Sequence, residues 1–329
     1  MNLPDLLNRF AGVRALVVGD ICLDRWCYYQ PSAAEPSRET GIPRVGVVAA
    51  EVTPGAGGTI ANNLVALGCG RVSVLGAIGQ DGFGFELERA LAERKIEYNL
   101  LVASRDIQTF TYNKMINVQS GVEDLARCDF INAASLPADV ENQIIANFNA
   151  HFQKFDVIVV SDQAETPRGG VVTDWLRDLI ADVGERYPDK IILADSRERI
   201  ERFRHVVAKP NGDEAAAASR RLFACVDFQR LREIIGPRPM LVTEGDRGVL
   251  LVDDRGERLV PCERIPQPVD ICGAGDSFAA GVVLALAAGD DFASAIRFGN
   301  LVAGITIMKK GTGTAAPDEV LAKAAVQWN

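Results

Sequence analysis

The chain has 329 residues and a formal charge of -9, from 35 Lys and Arg against 44 Asp and Glu. That length suits one large α/β domain or two small ones, and the acidic balance without a basic stripe argues against a nucleic-acid partner. No apolar run approaches the ~20 residues of a membrane-spanning helix. Residues 1–10 lack the basic-then-apolar pattern of a secretory leader. The seven cysteines, an odd number without CxxC or zinc-ligand spacing, read as reduced thiols of a cytoplasmic protein.

In chain order, RALVVG at Arg14–Gly19 reads as a buried strand. Residues 59–67 and 83–94 carry helix-spaced apolar side chains around a strand at 71–77. Further strands are predicted at 157–161, 191–195, 206–209 and 240–243, separated by helical patterns at 139–152, 171–183 and 228–235. Apolar strands alternating with helices predict a mostly parallel sheet covered on both faces. Residues 248–252 and 258–261 read as a hairpin added to it, and 278–288 and 292–308 as helices. Two segments break the alternation: 25–52, aromatic and proline-punctuated with strand-like 43–48, and 109–118, a β-type run. They are predicted to form a small β lid over the sheet edge, two ordinary surface loops being the alternative. With no repeat or interdomain linker, residues 1–329 are expected to form one domain.

The most informative run is DICGAGDSF, residues 270–278. It sets Asp276 just after Gly273, Ala274 and Gly275, where an apolar helix begins. A glycine turn opening a helix presents unpaired N–H groups and the positive end of the helix dipole, which suit an anion. A carboxylate beside such a hole fits phosphoryl transfer to an alcohol: the hole steadies the phosphoryl group and the carboxylate takes the hydroxyl proton. An acidic residue in an ordinary first helical turn satisfies the same pattern. Cys272 lies in this turn, but His151 and His205 sit in unrelated segments and offer it no basic partner.

Other motifs are weaker singly. GDICLD after the first strand places Asp24 beyond a strand's carboxyl end, as a clamp for sugar hydroxyls or a turn aspartate, and is not the GxGxxG of dinucleotide sites. PGAGGTIANN supplies Gly55, Gly57 and Gly58 at a helix entry, without the lysine of a P-loop. KPNGDE spaces Asn211 and Glu214 either to hold a hydrated Mg²⁺ or as a helix-capping pair. TEGDRG, with Thr243, Gly245 and Gly248, suits nucleotide phosphates or a plain turn. KGTGT after the last long helix reads as a nucleotide-flanking loop or a helix stop.

In order, these motifs resemble the ribokinase-like (PfkB) carbohydrate kinase family over nearly the whole chain, with DICGAGDSF in the place of its C-terminal signature. The resemblance implies a central, mostly parallel sheet with helices on both faces, a small β lid, and ATP and Mg²⁺ as cofactors. It implies Asp276 as general base, with Gly273, Ala274 and Gly275 as the anion hole. Asn211 and Glu214 would organise Mg²⁺, Glu214 through water. Thr243, Gly245 and Gly248 would border ATP, with Asn300 near the adenine. Asp24, Gly55, Gly57 and Gly58 would hold the sugar. A K⁺ ion would take carbonyls of Asp270, Cys272 and the 311–314 loop. A homodimer through the lid is also expected.

Within the family the chain is most similar to domains that phosphorylate D-glycero-β-D-manno-heptose 7-phosphate. VVGDICLDRW, SRETGIP, TFTYNKM, ARCDF with Arg127 and Asp129, VVSDQAE and ILADSRERIERF carry that likeness. It departs at Ala56 and Thr59, where glycine and asparagine are expected, at Gln163 in place of an aromatic residue, and at Arg197 in place of lysine. Tyr112 and Lys114 occupy basic lid positions. The nucleotidyltransferase domain of the bifunctional relatives does not occur in these residues.

The sequence therefore predicts an ATP-dependent kinase acting on a sugar or sugar phosphate, with Lys114 and Arg127 on the substrate side. Arg25, Arg38, Arg44 and Arg197 are further candidates to meet an acceptor phosphate. The alternatives are a kinase of an unphosphorylated ketose, pentose or nucleoside, and a non-catalytic sugar- or nucleotide-binding regulator. A nicotinamide dehydrogenase is disfavoured by the missing glycine fingerprint.

Overall fold

Leu3, Leu6, Leu7 and Phe10 recur every three or four positions, so the chain opens with an amphipathic helix, α1 (Leu3–Phe10), whose apolar stripe joins the core. The structure is a computed structural model and describes residues 2–33 and 35–327. Strand β1 (Arg14–Gly19) follows, and Asp20 alone separates it from β2 (Ile21–Tyr29). Next come β3 (Val47–Ala56), α2 (Gly57–Ala66), β4 (Arg71–Gly79), α3 (Gly82–Glu93) and β5 (Glu97–Ser104). After β6 (Thr111–Asn117) and β7 (Cys128–Phe130), the chain forms α4 (Ala138–His151), β8 (Val157–Asp162), α5 (Asp174–Arg186) and β9 (Ile191–Ser196). Then follow β10 (Val207–Ala208), α6 (Gly212–Phe223), α7 (Phe228–Ile235), β11 (Met240–Thr243), β12 (Val249–Asp253) and β13 (Gly256–Val260). Helices α8 (Ala274–Ala287), α9 (Phe292–Thr306) and α10 (Pro317–Gln327) end the fold.

Nine strands form one sheet in the order β13-β12-β11-β10-β9-β8-β1-β4-β5. The pairs from β11 to β5 are parallel, and β12 and β13 add the predicted hairpin antiparallel to β11. Parallel strands covered on both faces need apolar residues on both, and β1 shows it: Ala15 and Val17 enter one core, Leu16 and Val18 the other. The first core joins α1, α2, α8 and α9 to the sheet; the second joins α4 to α7.

The two segments that break the alternation do form a second sheet, ordered β3-β2-β6-β7. Strand β2 pairs antiparallel with β3 and parallel with β6, setting Asp24 opposite Thr53 and Tyr112. Expected and observed bounds differ in places. Residues 43–46 stay outside the lid strand, which begins at Val47, and the helix expected from 171 begins at Asp174, after Thr173 caps it by accepting from the Leu176 amide. Strands β5 and β7 and helices α1 and α10 are additional to the elements predicted, and α6 begins at the helix start expected from Asn211 and Glu214.

Helix α8 is buried almost throughout and is seated by glycines. A Cβ on Gly281 would stand 3.1 Å from the Gly299 Cα, and one on Gly299 would stand 2.7 Å from the Phe278 ring. Ser277 and Thr306 hydroxyls join the two helices at 2.8 Å. Gly299→Ala should therefore overpack this contact and cost about 1–3 kcal/mol of unfolding free energy. Denaturant unfolding measures it, and an unchanged midpoint would contradict the close packing.

Candidate active site

Between β8 and β4, strand β1 is where the sheet's connections diverge to opposite sides, and a crevice opens beyond its carboxyl end. Asp20 occupies that point, fully buried. Its carboxylate accepts from the amides of Gln163 (2.8 Å), Ala164 (2.9 Å) and Val171 (2.8 Å), and its carbonyl accepts from Gly57 N at 2.9 Å. One residue thus ties the end of β1 to the start of α2 and to the segment after β8. Burial pushes its carboxyl up to about 6, with Asp162 adding and the three amides opposing.

The predicted catalytic turn lies across this crevice. Gly273 adopts φ 78°, and a Cβ there would meet the methyl groups of Thr59 and Thr312 at 3.3 Å, so glycine lets the turn close against α2. Asp270 braces it: its carboxylate accepts from Cys272 N at 2.9 Å and from Gly311 N at 3.1 Å, which draws the 311–314 loop alongside. The Ala274 amide turns back to the Ile271 carbonyl at 3.2 Å. Among the described residues no backbone acceptor is recorded for the amides of Gly275 and Asp276, so those two remain free for an anion. Asp276 faces the crevice from the first turn of α8. Desolvation, reinforced by Asp195 and Asp24 and opposed by Lys209 and Arg197, pushes its carboxyl up to about 7.

Asp24, Lys114, Arg127, Gly273, Cys272 and Asp276 line one cavity of about 170 Å³, together with Ala56, Thr59, Tyr112, Gln163, Arg197 and Thr312. Asp24 reaches it from the lid. A Cβ on Gly55 would lie 2.6 Å from the Asp24 carboxylate, so this glycine makes room for the acid. Gly57 and Gly58 pack instead against Ile21 and Pro54. Burial pushes Asp24 up to about 6, while Lys114 and Arg127 pull it down. Ala56 holds φ 51°, a value that favours glycine, and Thr59 donates to the Pro54 carbonyl at 3.2 Å.

Lys114 Nζ stands 3.5 Å from Cys272 Sγ and 5.5 Å from the Trp26 ring centroid. The thiol has a basic neighbour that histidine placement did not disclose, yet burial still pushes it up and keeps it protonated. Arg127 pairs with Asp129 at 2.7 Å, and Arg197 pairs with Glu165. Arg25, Arg38 and Arg44 do not line the cavity. Arg25 pairs with Glu86 at 3.0 Å and lies over Phe83, and Arg44 donates to the Glu35 carbonyl.

The nucleotide-side candidates gather at the neighbouring strand ends. Asn211 and Glu214 form a complete capping box: Asn211 Oδ1 accepts from Glu214 N at 2.9 Å, and Glu214 Oε2 accepts from Asn211 N at 2.7 Å. Thr243 bridges to Asn211 in parallel register and starts the turn containing Gly245 and Gly248. Asn300 lines a separate groove of about 500 Å³ with Pro261, Cys262, Glu263, Arg297 and Leu301. Among the described residues no cluster of three His, Cys, Asp or Glu can hold a metal directly. Glu214 at the α6 entrance fits the water-mediated contact that Mg²⁺, with its retained hydration, accepts. On the Asp270 side, the Thr314 carbonyl already accepts from Lys309 Nζ at 2.6 Å.

Two residues were given no role by sequence reasoning. Asp195 at the end of β9 and Lys209 after β10 are both buried and pair at 2.9 Å beside the catalytic turn. The signal was a charged residue at each apolar strand's carboxyl end, in ILAD and in VVAKPN. No helix among the described residues is long and apolar enough to cross a membrane.

The arrangement has known counterparts. The profile of the pfkB family carbohydrate kinases matches residues 15–319. The bifunctional protein HldE of Geobacter sulfurreducens is 30% identical over 332 residues, covering 99% of this chain and 66% of that protein. The HldE of Rhodopseudomonas palustris is 29% identical, covering 98% and 65%. The chain thus spans about two thirds of the length of these curated relatives. Ribokinase from Thermotoga maritima superposes with a TM-score of 0.70 at 20% identity, covering 95% of this chain and 99% of that one. Phosphofructokinase-2 from Escherichia coli, solved in complex with potassium, gives a TM-score of 0.70 at 19% identity, covering 96% and 100%. The chain belongs to the PfkB family of carbohydrate kinases, phosphotransferases whose acceptor is a sugar hydroxyl.

Proposed function

We propose that the protein transfers the γ-phosphoryl group of ATP to a hydroxyl of a sugar that already carries a phosphate, with a heptose 7-phosphate as the leading acceptor. The carrying observation is that Lys114, Arg127 and Arg197 line the same small cavity as Asp24 and Asp276. Arginine and lysine suit a phosphate, and Asp24 suits the hydroxyls of the ring. The likeness to HldE proteins supports a heptose phosphate. A second reading, an unphosphorylated sugar or nucleoside, is favoured by the pairing of Arg127 with Asp129 and of Arg197 with Glu165, which partly spends their charge inside the protein.

In the reaction the acceptor hydroxyl gives its proton to the Asp276 carboxylate as its oxygen bonds to the γ-phosphorus. The bond from that phosphorus to the β–γ bridging oxygen breaks, and ADP leaves with the electron pair. Gly273, Ala274 and Gly275 shape the turn that receives the phosphoryl oxygens. Positioning and charge stabilisation supply most of the rate, as is general for this chemistry. Mg²⁺, when bound near Asn211 and Glu214, neutralises phosphate charge. Thr243, Gly245 and Gly248 border the phosphates and Asn300 the base.

The unit that acts is the whole of residues 1–329, one kinase domain with a lid assembled from 25–52 and 109–118. Two copies pair through the lid, whose edge strand β3 exposes Val47 and Val48 beside Ile42 and Val45. Carbonyls of Asp270 and Cys272 would hold a K⁺ ion, supplying positive charge beside the phosphate-binding turn.

Because burial raises the Asp276 carboxyl to about 7, its basic form fills as pH rises, so kcat/KM should climb through about pH 7. Asp276→Asn should lower kcat by about 10²–10⁴, spare ATP affinity and remove that limb. Near-normal turnover in the variant, or an unaltered limb, would contradict the assignment. Asp24→Ala should raise KM for the sugar far more than KM for ATP, since one site alone loses a charged hydrogen-bonding group; an equal rise in both would refute it. A coupled ADP-release screen over sugars, sugar phosphates and nucleosides decides the acceptor. Phosphorylated sugars should exceed their parents in kcat/KM, and Lys114→Met or Arg197→Met should shrink that preference by about 1–3 kcal/mol. A neutral sugar preferred by wild type and both variants alike would favour the second reading.

A further inference from the structure

Lys209 leaves β10 at the sheet's carboxyl edge, its backbone N–H donating to the Ala194 carbonyl at 2.8 Å. Its side chain is 5% exposed, and its ammonium pairs with Asp195 at 2.9 Å. A buried ammonium is costly unless its charge is compensated and its three N–H donors are used. Asp195 compensates the charge: burial opposes ionisation of Lys209, but Asp195, joined by Glu214 and Asp276, outweighs it, so the lysine stays cationic. The same ammonium lies 3.4 Å from where a Cβ on Gly275 would stand, directly against the turn whose Gly275 and Asp276 amides have no backbone acceptor. Ordinary core packing does not require a lysine here. Apolar residues fill neighbouring Val207 and Ala208 at no such cost.

We propose that Lys209 is a further member of the phosphoryl-transfer apparatus: Asp195 holds its ammonium against the Gly273–Asp276 turn, where it donates to the oxygens of the phosphoryl group in flight. This rests on reading that turn as the catalytic one. A phosphoryl group passing between ADP and the acceptor spreads negative charge over its equatorial oxygens, and a fixed cation in a water-poor site stabilises that charge without reorganising. Asp195 acts through Lys209, as a positioning residue.

The test uses the full chain with MgATP and the best acceptor from the screen, comparing Lys209→Met, Lys209→Arg, Asp195→Asn and the double variant Asp195→Asn/Lys209→Met. Lys209→Met should lower kcat by about 10²–10³ while KM for the acceptor and affinity for MgADP change little. Affinity for MgADP with aluminium fluoride, a mimic of the group in flight, should fall alongside kcat. Lys209→Arg should restore part of kcat. The double variant leaves no unpaired buried charge, so it should recover thermal stability without recovering turnover. If the double variant regains kcat together with stability, the pair is structural and the proposal is overturned. It is equally overturned if Lys209→Met keeps near-normal kcat, or loses aluminium fluoride and MgADP affinity to the same extent. Asp276→Asn separates the two levels of the argument. Should it turn over normally, the reading of the turn has failed and the proposal with it; should it be impaired while Lys209→Met is not, only the proposal about Lys209 has failed.

Discussion

The start of α8 is fixed by a close approach at Gly273, whose φ of 78° strains any residue with a side chain and where the turn meets Thr59 of α2 and Thr312 of the last loop. Everything chemical in this crevice depends on that approach. It leaves the amides of Gly275 and Asp276 without a backbone acceptor and sets Asp276 on the wall of one small cavity, where burial raises its carboxyl towards neutrality. A base with a pKa near the working pH combines a useful ionised fraction with enough basicity to accept a hydroxyl proton. The glycine contact between α8 and α9 and the Ser277–Thr306 hydrogen bond keep the helix from sliding out of that position.

The lid contributes the other half of the site through its own register. Asp24 and Tyr112 are directly opposite on β2 and β6, and Lys114 follows two residues later on the same strand face. A slip of β6 by one residue would turn Tyr112 and Lys114 away from the cavity that Asp24 lines. Strand β2 of the lid is joined to β1 of the main sheet through the single residue Asp20, whose three amide contacts hold the segment carrying Gln163 and Glu165. Asp162 and Arg199, paired at 2.7 Å, support the same segment from below. Lid register, the lining of the cavity and the first strand are thereby coupled mechanically.

Much of this was legible in the sequence, and what was not has a consistent cause. Strands such as β1 and β8 are apolar on both faces, and α8 follows a glycine turn, so local pattern sufficed. Asp24 and Asp276 were recognisable because each sits in a motif with its own local chemistry, whereas Lys114 and Arg127 were picked out by the family resemblance of the lid segments that carry them. The lid was foreseen as an interruption, but its fourth strand, Cys128–Phe130, is too short to show a period. Asp20, Asp195 and Lys209 earned no role because their partners are distant in sequence. The capping box at Asn211 and Glu214 shows the opposite limit: both readings of that spacing rest on the same two side chains, and forming the cap leaves the Glu214 carboxylate still close enough to Lys209 and Asp195 to feel their charge.

The central claim is geometric: the acceptor hydroxyl and the terminal phosphate meet between Asp276 and the head of α8. A crystal structure of the protein with Mg²⁺, a non-hydrolysable ATP analogue and the preferred acceptor tests it most directly. The account predicts an acceptor hydroxyl oxygen about 2.6–3.2 Å from the Asp276 carboxylate and the terminal phosphate on the amides of Gly275 and Asp276. An acceptor hydroxyl held by another group, with Asp276 out of reach, would contradict it.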